Sequence, residues 1–310
     1  MILTVTLNAA LDLTYRVPRL RPHTAHRVAE AVERPGGKGL NVSRVLARLG
    51  HATTVTGFAG GPTGETLRTL LATAAADTPG RLTDALVPCA GSTRRTVGVV
   101  DAGTGDTTQL NEAGPSITAA EWASFTARYA QLLDDAGAVA LCGSLPPGVP
   151  VGAYAQLIRQ ARARDLPVLL DTSGEPLRRG VAARPDAVKP NAAELAALTG
   201  STDPMRAALD ARRRGAHAVA ASLGTDGMLA VTPDGTWRAT PPARLKGNPT
   251  GAGDSAVAGL LSAWLEGLPW PERLKRAVAV SAATVRAPVA GEFDAEAYEA
   301  ALPLVKVVPV

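Results

Sequence analysis

Apolar residues gather in short runs rich in β-branched and small side chains at positions 2–7, 53–58, 138–142, 167–171, 187–189 and 216–222. Between these runs, apolar positions recur with helical spacing over 40–49, 63–75, 119–133, 151–164 and 204–214. The first pattern predicts buried strands and the second amphipathic helices. Their alternation predicts an α/β fold with a doubly wound, mainly parallel sheet and helices on both faces. Two stretches, 13–35 and 92–112, break the rhythm: Pro, Thr, Val and Arg alternate there without a helical face, bounded by Gly or Pro. They are expected to be strands of a small β-sheet lid inserted in a single domain spanning 1–310. Residues 72–88 are locally loose, and the chain shows no internal repeat and no low-complexity linker.

Composition narrows the class. Hydrophobic residues make up 46% of the chain and charged residues 19%, ordinary usage for a folded domain and unlike disorder. The formal net charge of +4 and an aromatic content of 4% are too little for a nucleic-acid surface, which needs basic stripes and stacking rings. The run Arg212 to Arg214 precedes Gly215, where cations suit a helix C-terminus. Cys89 and Cys142 have no metal-ligand spacing and form no disulfide framework, so a reducing, cytoplasmic setting is expected. Met1 to Leu7 lacks a charged leader and reads as a strand, and no apolar run reaches the roughly 18 residues of a membrane span. His23, His26, His51 and His217 show no metal spacing.

The densest chemistry lies in Asn248-Pro249-Thr250-Gly251-Ala252-Gly253-Asp254-Ser255, directly before an apolar helix over 256–264. Glycines at a helix start let backbone N–H groups face an anion, with the helix dipole adding positive potential. Asp254 would then take a proton from an acceptor hydroxyl while the amides of Gly251, Ala252 and Gly253 hold a transferring phosphoryl group. Simple helix capping by Asp254 is an equal alternative on the residues alone.

Pro35-Gly36-Gly37-Lys38-Gly39-Leu40-Asn41 also enters a helix. It lacks the Gly-Lys-Ser/Thr of a phosphate loop and is not a dinucleotide fingerprint. Gly37 would admit a ligand to the backbone, with Asn41 on sugar hydroxyls and Lys38 on a phosphate; an ordinary glycine turn competes. Lys189-Pro190-Asn191-Ala192-Ala193-Glu194 lies where a strand ends and a helix begins, the usual ligand edge of such sheets. Glu194 could hold Mg and Asn191 meet a phosphate, but on spacing alone a capping box is favoured. Ser222, Gly224 and Gly227 end another strand and could border a nucleotide, or form a plain turn. In the lid, Arg94 and Arg95 are adjacent on an extended segment, so one of the two faces inward. Asp12 and Ser144 follow apolar strands and are placed for sugar hydroxyls.

Taken together, the glycines with Asn41, Lys189-Pro190-Asn191 with Glu194, and Gly251-Ala252-Gly253-Asp254 resemble the ribokinase-like carbohydrate kinases in order and approximate spacing, over essentially the whole chain. Asn8-Ala9-Ala10-Leu11-Asp12, Gly36 to Arg44, Gly143-Ser144-Leu145-Pro146-Pro147-Gly148 and Ala287 to Glu292 resemble the family's hexose-phosphate branch, that of 1-phosphofructokinase. The resemblance implies ATP-dependent phosphorylation of a sugar phosphate, first of all fructose 1-phosphate to fructose 1,6-bisphosphate. Tagatose 6-phosphate and fructose 6-phosphate are the alternative substrates.

On matching positions, the resemblance implies Asp254 as base, Gly251 to Gly253 as anion hole, and Glu194 with Asn191 organising Mg and phosphate. Asp12, Gly37 and Asn41 would hold the sugar. Lys38 and Arg94 would hold its existing phosphate, with Arg27 and Ser144 as weaker candidates. Lys189, Ser222, Gly224, Gly227 and Thr250 would border ATP, with adenine covered by the helix around 280–284. A homodimer through the lid is also implied. Asn8-Ala9-Ala10 departs from relatives that carry Pro there, and Arg95 is an extra charge. A nicotinamide-dependent oxidoreductase would need a glycine fingerprint after the first strand, which Leu7-Asn8-Ala9-Ala10 does not supply. A non-catalytic sugar-phosphate or nucleotide-binding protein would not need Asp254.

Overall fold

The computed structural model describes residues 1–29, 31–242, 249–287 and 290–310. Asn248 of the glycine motif and Pro288 and Val289 of the late segment lie outside the described residues. The chain begins β1 (Ile2–Thr6), β2 (Ala10–Val17), β3 (Ala31–Gly36), α1 (Lys38–Arg48), β4 (Thr53–Ala59), α2 (Gly61–Ala76), β5 (Leu82–Asp84) and β6 (Val87–Pro88). It continues β7 (Arg94–Asp101), β8 (Thr107–Asn111), α3 (Ala119–Leu132), β9 (Ala138–Cys142), α4 (Ala153–Arg162), β10 (Val168–Asp171), α5 (Gly174–Ala182), β11 (Ala187–Val188) and α6 (Ala192–Thr199). It ends α7 (Pro204–Arg213), β12 (Ala218–Ser222), β13 (Met228–Val231), β14 (Thr236–Thr240), α8 (Ala252–Leu265), α9 (Trp270–Arg286), α10 (Ala295–Ala301) and β15 (Lys306–Pro309).

The main sheet has 11 strands in the order β15-β14-β13-β12-β11-β10-β9-β1-β4-β5, with β6 also on β4. From β12 to β5 neighbours run parallel. Every residue of β1, β4, β9 and β10 is buried, as strands covered on both faces must be. Strand alternation sorts them between two cores. Val139, Leu141, Val168 and Leu170 pack with Phe125, Tyr129, Tyr154 and Leu157 on the α3–α4 side. Ala138, Ala140, Cys142 and Leu169 pack with Val42, Val257, Leu261 and Val280 on the α1–α8–α9 side. Small residues on that second face let α8 and α9 approach closely: a Cβ on Gly259 would stand 2.7 Å from Ala277 Cα. Nearly all of α8 is therefore buried, which fixes its N-terminus against the sheet edge. Truncating Leu261 to Ala would cost about 2–5 kcal/mol.

The antiparallel extension β13–β15 was not expected from the apolar pattern. It follows from Asp234-Gly235, a turn signal between two short β-rich runs. The second sheet has four strands in the order β3-β2-β7-β8. Its strands occupy parts of the two stretches that broke the helical rhythm, with β2 starting at Ala10 and residues 18–29 forming turns and bends between β2 and β3. No helix among the described residues is long and apolar enough to cross a membrane.

Candidate active site

The parallel strands end along one edge of the sheet, where Asn8, Gly143 and Lys189 follow β1, β9 and β11, and Asp171 and Ser222 end β10 and β12. Ligands of open α/β sheets bind at this edge because the backbone there is free of the ladder and the following helices point their N-termini at it. α8 does so with Gly251 as N-cap at φ +84, a left-handed conformation that favours glycine, and no side chain caps it. A Cβ at Gly251 would meet the Ala290 side chain at 2.8 Å. Ala252 spends its N–H on the Pro249 carbonyl at 3.1 Å, so of the three amides expected to form an anion hole one is already committed.

Asp254 stands in the first turn of α8 and is 7% exposed. Asn41 Nδ2, from the first turns of α1, donates to its Oδ2 at 2.8 Å. Burial and the nearby Asp171 charge push its pKa up to about 6, against the pull of Lys38, the Asn41 hydrogen bond and Lys189. At neutral pH the carboxylate is ionised and still basic enough to accept a proton.

Around it lies a set of charges, Asp171 and Lys189 buried and Lys38 partly exposed. Lys38 Nζ lies 3.3 Å and Lys189 Nζ 3.6 Å from the same oxygen, Oδ1, of Asp171. Burial opposes the charge on Lys38, but Asp171, Asp254 and Glu194 outweigh it and hold the ammonium protonated. Lys189 also lies beside the α8 N-terminus, 3.6 Å from where a Cβ on Gly253 would be. Lys38 is thus placed with Asp171 and Asp254.

The glycines before α1 serve close packing of the chain on itself. A Cβ on Gly36 would strike the Asp12 carboxyl group at 2.1 Å, one on Gly37 (φ +111) would meet Thr6 Oγ1 at 2.9 Å, and one on Gly39 the Val5 carbonyl at 2.7 Å. Asp12, on β2, lines a cavity of about 470 Å³ beneath the small sheet, together with Arg34, Thr96, Thr250, Arg286 and Ala290. Burial raises its pKa to about 6 against Arg94, a Thr96 hydrogen bond and Arg44. Arg94 faces inward, its Nε donating to the Asn8 carbonyl at 3.2 Å and Nη1 to that of Glu112 at 3.2 Å, while Arg95 is exposed. Ser144 Oγ accepts from Asn8 Nδ2 at 3.1 Å, and Arg27 is exposed in the connection between β2 and β3.

A second cavity, of about 710 Å³, shares Val285 of α9 with the first. It is lined by Asn191, Ser222, Gly224, Gly227, Ala252 and Gly253, and by Val278, Ser281, Ala282 and Val285 of α9. Val280, Ala283 and Thr284 of the expected adenine-covering stretch turn instead into the core, where Thr284 Oγ1 donates to Ser255 Oγ at 2.6 Å. Thr250 lines the first cavity, not this one.

Asn191 and Glu194 form the capping box that their spacing favoured: Glu194 N–H donates to Asn191 Oδ1 at 2.8 Å and Asn191 N–H to Glu194 Oε2 at 2.9 Å. Glu194 Oε1 has no hydrogen-bond partner among the described residues. That free hard oxygen beside the second cavity fits Mg, which binds one or two carboxylates and fills its shell with water and phosphate oxygens.

A family model described as pfkB family carbohydrate kinase matches residues 3–296. The chain belongs to that family. As a pfkB carbohydrate kinase it is a phosphotransferase acting on a sugar hydroxyl, with ATP as co-substrate. It is 41% identical over 289 residues to 1-phosphofructokinase of Rhodobacter capsulatus, covering 90% of this chain and 89% of that one. It is 38% identical over 273 residues to 1-phosphofructokinase of Xanthomonas campestris pv. campestris, covering 85% and 84%. Among solved structures, a possible 1-phosphofructokinase from Thermotoga maritima matches with a TM-score of 0.89 at 27% identity, covering 100% of this chain and 99% of that one. The tetrameric inhibited form of Escherichia coli phosphofructokinase-2 matches with a TM-score of 0.88 at 30% identity, covering 97% and 98%. These neighbours share the ribokinase-like architecture.

The sequence reading of this kinase missed Asp171, Asn8 and the Arg44–Glu292 pair. Asp171 had one signal, a carboxylate ending the otherwise apolar strand Val168-Leu169-Leu170. Arg44, 5% exposed, donates from Nη2 to Glu292 Oε1 at 2.9 Å, and Arg34 of the small sheet donates from Nη1 to the same oxygen at 3.0 Å.

Proposed function

We propose that this pfkB kinase phosphorylates D-fructose 1-phosphate to fructose 1,6-bisphosphate, as its relatives' names suggest. The observation that carries the chemistry is Asp254, ionised, buried and held by Asn41 in the first turn of α8, whose Ala252 and Gly253 line the second cavity. The sugar would lie in the cavity under the small sheet, its hydroxyls on Asp12 and Asn41 and its existing phosphate near Arg94. ATP would lie in the cavity bordered by Ser222, Gly224 and Gly227, with its γ-phosphoryl group at the α8 N-terminus.

Asp254 takes the proton of the free hydroxyl as that oxygen forms a bond to the γ-phosphorus. The bond from phosphorus to the ADP oxygen breaks, ADP leaves with that electron pair, and the proton stays on the carboxyl group. Lys38 and Lys189 face the charge on the transferring group, so we assign Lys38 to that group and not to the phosphate the sugar brings. Glu194 Oε1 would hold Mg, which supplies charge neutralisation on the ATP phosphates. Positioning and charge compensation account for the rate, because the protein forms no covalent intermediate.

We place the kinase in the cytoplasm as a homodimer paired through the small sheet. The two cysteines are free, and β8 is exposed along its length with Leu110 60% accessible. Sedimentation of wild type and Leu110→Lys tests the pairing: a dimer for the first and a monomer for the second is expected. A coupled ADP-release assay over fructose 1-phosphate, fructose 6-phosphate and tagatose 6-phosphate tests the substrate. The highest kcat/KM is expected for fructose 1-phosphate, and a preference for either other sugar moves the assignment within the branch.

A further inference from the structure

Asp171 is 1% exposed at the end of β10, a depth at which a carboxylate persists only with compensating charge. Compensation comes from two elements far apart in sequence: Lys38 opens α1 and Lys189 follows β11. Both ammonium groups converge on Oδ1, while Oδ2 is buried without a hydrogen-bond partner. Lys189 is itself 3% exposed, so its charge has no access to bulk water. A buried carboxylate between two lysines is not the arrangement that maximises stability, since each ion gives up hydration and an oxygen is left bare. It is an arrangement that fixes where two positive charges stand. Each ammonium has three donors, so hydrogen bonds to Asp171 leave others for a phosphate.

We propose that Asp171 is a positioning residue for phosphoryl transfer, holding Lys38 and Lys189 on two sides of the transferring group beside the α8 N-terminus. The inference rests on the reading of Asp254 and α8 as the transfer centre. Lys189 lies against Gly253, and Lys38 opens α1, the helix that also supplies Asn41. The charged and titratable groups around Asp254 are Lys38 of α1, Asp171 of β10, Lys189 after β11 and Cys142 of β9, with Glu194 of α6 acting on Lys38. Burial, first, and then Asp171 and Asp254 keep the Cys142 thiol neutral, so it adds no charge. Asp171 therefore has a second effect: its negative charge keeps Asp254 more basic than the lysines alone would allow.

The test is Asp171→Asn, which keeps the shape and removes the charge. With released lysines, kcat for fructose 1-phosphate is expected to fall about 10- to 100-fold while its KM changes less than about threefold. In ligand-free protein with carboxyl-¹³C aspartate, the Asp254 resonance, assigned with Asp254→Asn, is expected to titrate about one pH unit lower than in wild type. A kcat within about twofold of wild type overturns the proposal, as does a loss confined to KM or to the magnesium requirement, or an unmoved Asp254 titration. If Asp171→Asn fails to fold, Lys38→Met decides the point. It removes a positive neighbour and must move the Asp254 titration upward, and no upward movement overturns the proposal. If wild type turns over none of the sugar phosphates, the proposed reaction fails, while the carboxyl titration, which needs no turnover, still decides whether Asp171 acts on Asp254.

Discussion

Two helices open onto the same cleft with an acid in the third position of the first turn: Glu194 of α6 and Asp254 of α8. Their N-caps differ. Asn191 has extended backbone and a side chain that takes the Glu194 N–H, and Glu194 returns the bond, so α6 closes its own end. Gly251 is left-handed and has nothing to offer, so α8 stays open, and Asp254 is held by Asn41 from another helix. One helix end satisfies amides with its own side chains, and the other has no side-chain cap for its amides, that of Ala252 bonding the Pro249 carbonyl instead. The difference teaches that an acid at this position closes a capping box or is left for other partners according to what precedes it, since an N-cap residue without a side chain cannot close the box.

The largest effect should come from the open end. Asp254→Asn is expected to lower kcat by about 10³-fold or more while ATP still binds, as measured by turnover and by calorimetry. Near-normal turnover would show that the acid of α8 is only a cap. The wild-type pH profile follows the same logic: Asp254 must be ionised, so kcat/KM for the sugar should hold near neutrality and fall as pH drops below about 6. Gly253→Ala adds a methyl group that the fold accepts, 3.6 Å from Lys189 Nζ, but that crowds the anion position. Turnover should drop about tenfold or more with little change in melting temperature.

Arg94→Ala should raise KM for fructose 1-phosphate by about tenfold and leave KM for ATP nearly unchanged. Equal rises in both would remove Arg94 from the sugar phosphate. At the closed end, Glu194→Gln preserves the reciprocal cap and should leave stability within about 0.5 kcal/mol, while the magnesium needed for half-maximal rate rises. Asn191→Ala removes the cap itself. Calorimetry should show a loss of about 1 kcal/mol.

Local pattern carried much of the molecule. The runs at 138–142 and 167–171 are strands because both faces are covered, so apolar character shows without alternation. Helix α8 starts at Ala252, ahead of the apolar run at 256–264 that marks it in the sequence, because Gly251 is its N-cap and Asp254 lies in its first turn. β13 to β15 were missed because their alternation is short and β15 pairs with β14 across more than 60 residues of intervening chain. In the site, Asp254, Asn41 and the Asn191–Glu194 pair were legible from helix-start chemistry. Asp171 was not, since its meaning depends on Lys38 and Lys189, and nothing in the sequence says that α1 and β11 deliver their ammonium groups to one oxygen. The pairing of Lys38 with Asp171 was hidden for the same reason.

Glu292 gives its single Oε1 to an arginine of the body and an arginine of the small sheet. The Arg44 side chain is 6% exposed and that of Arg34 34% exposed, so only the latter has water at hand to replace its partner. Losing Glu292 would therefore strand the Arg44 charge far more than that of Arg34, and the carboxylate ties the small sheet to the body. Glu292 is thus a counterion common to two parts of the fold.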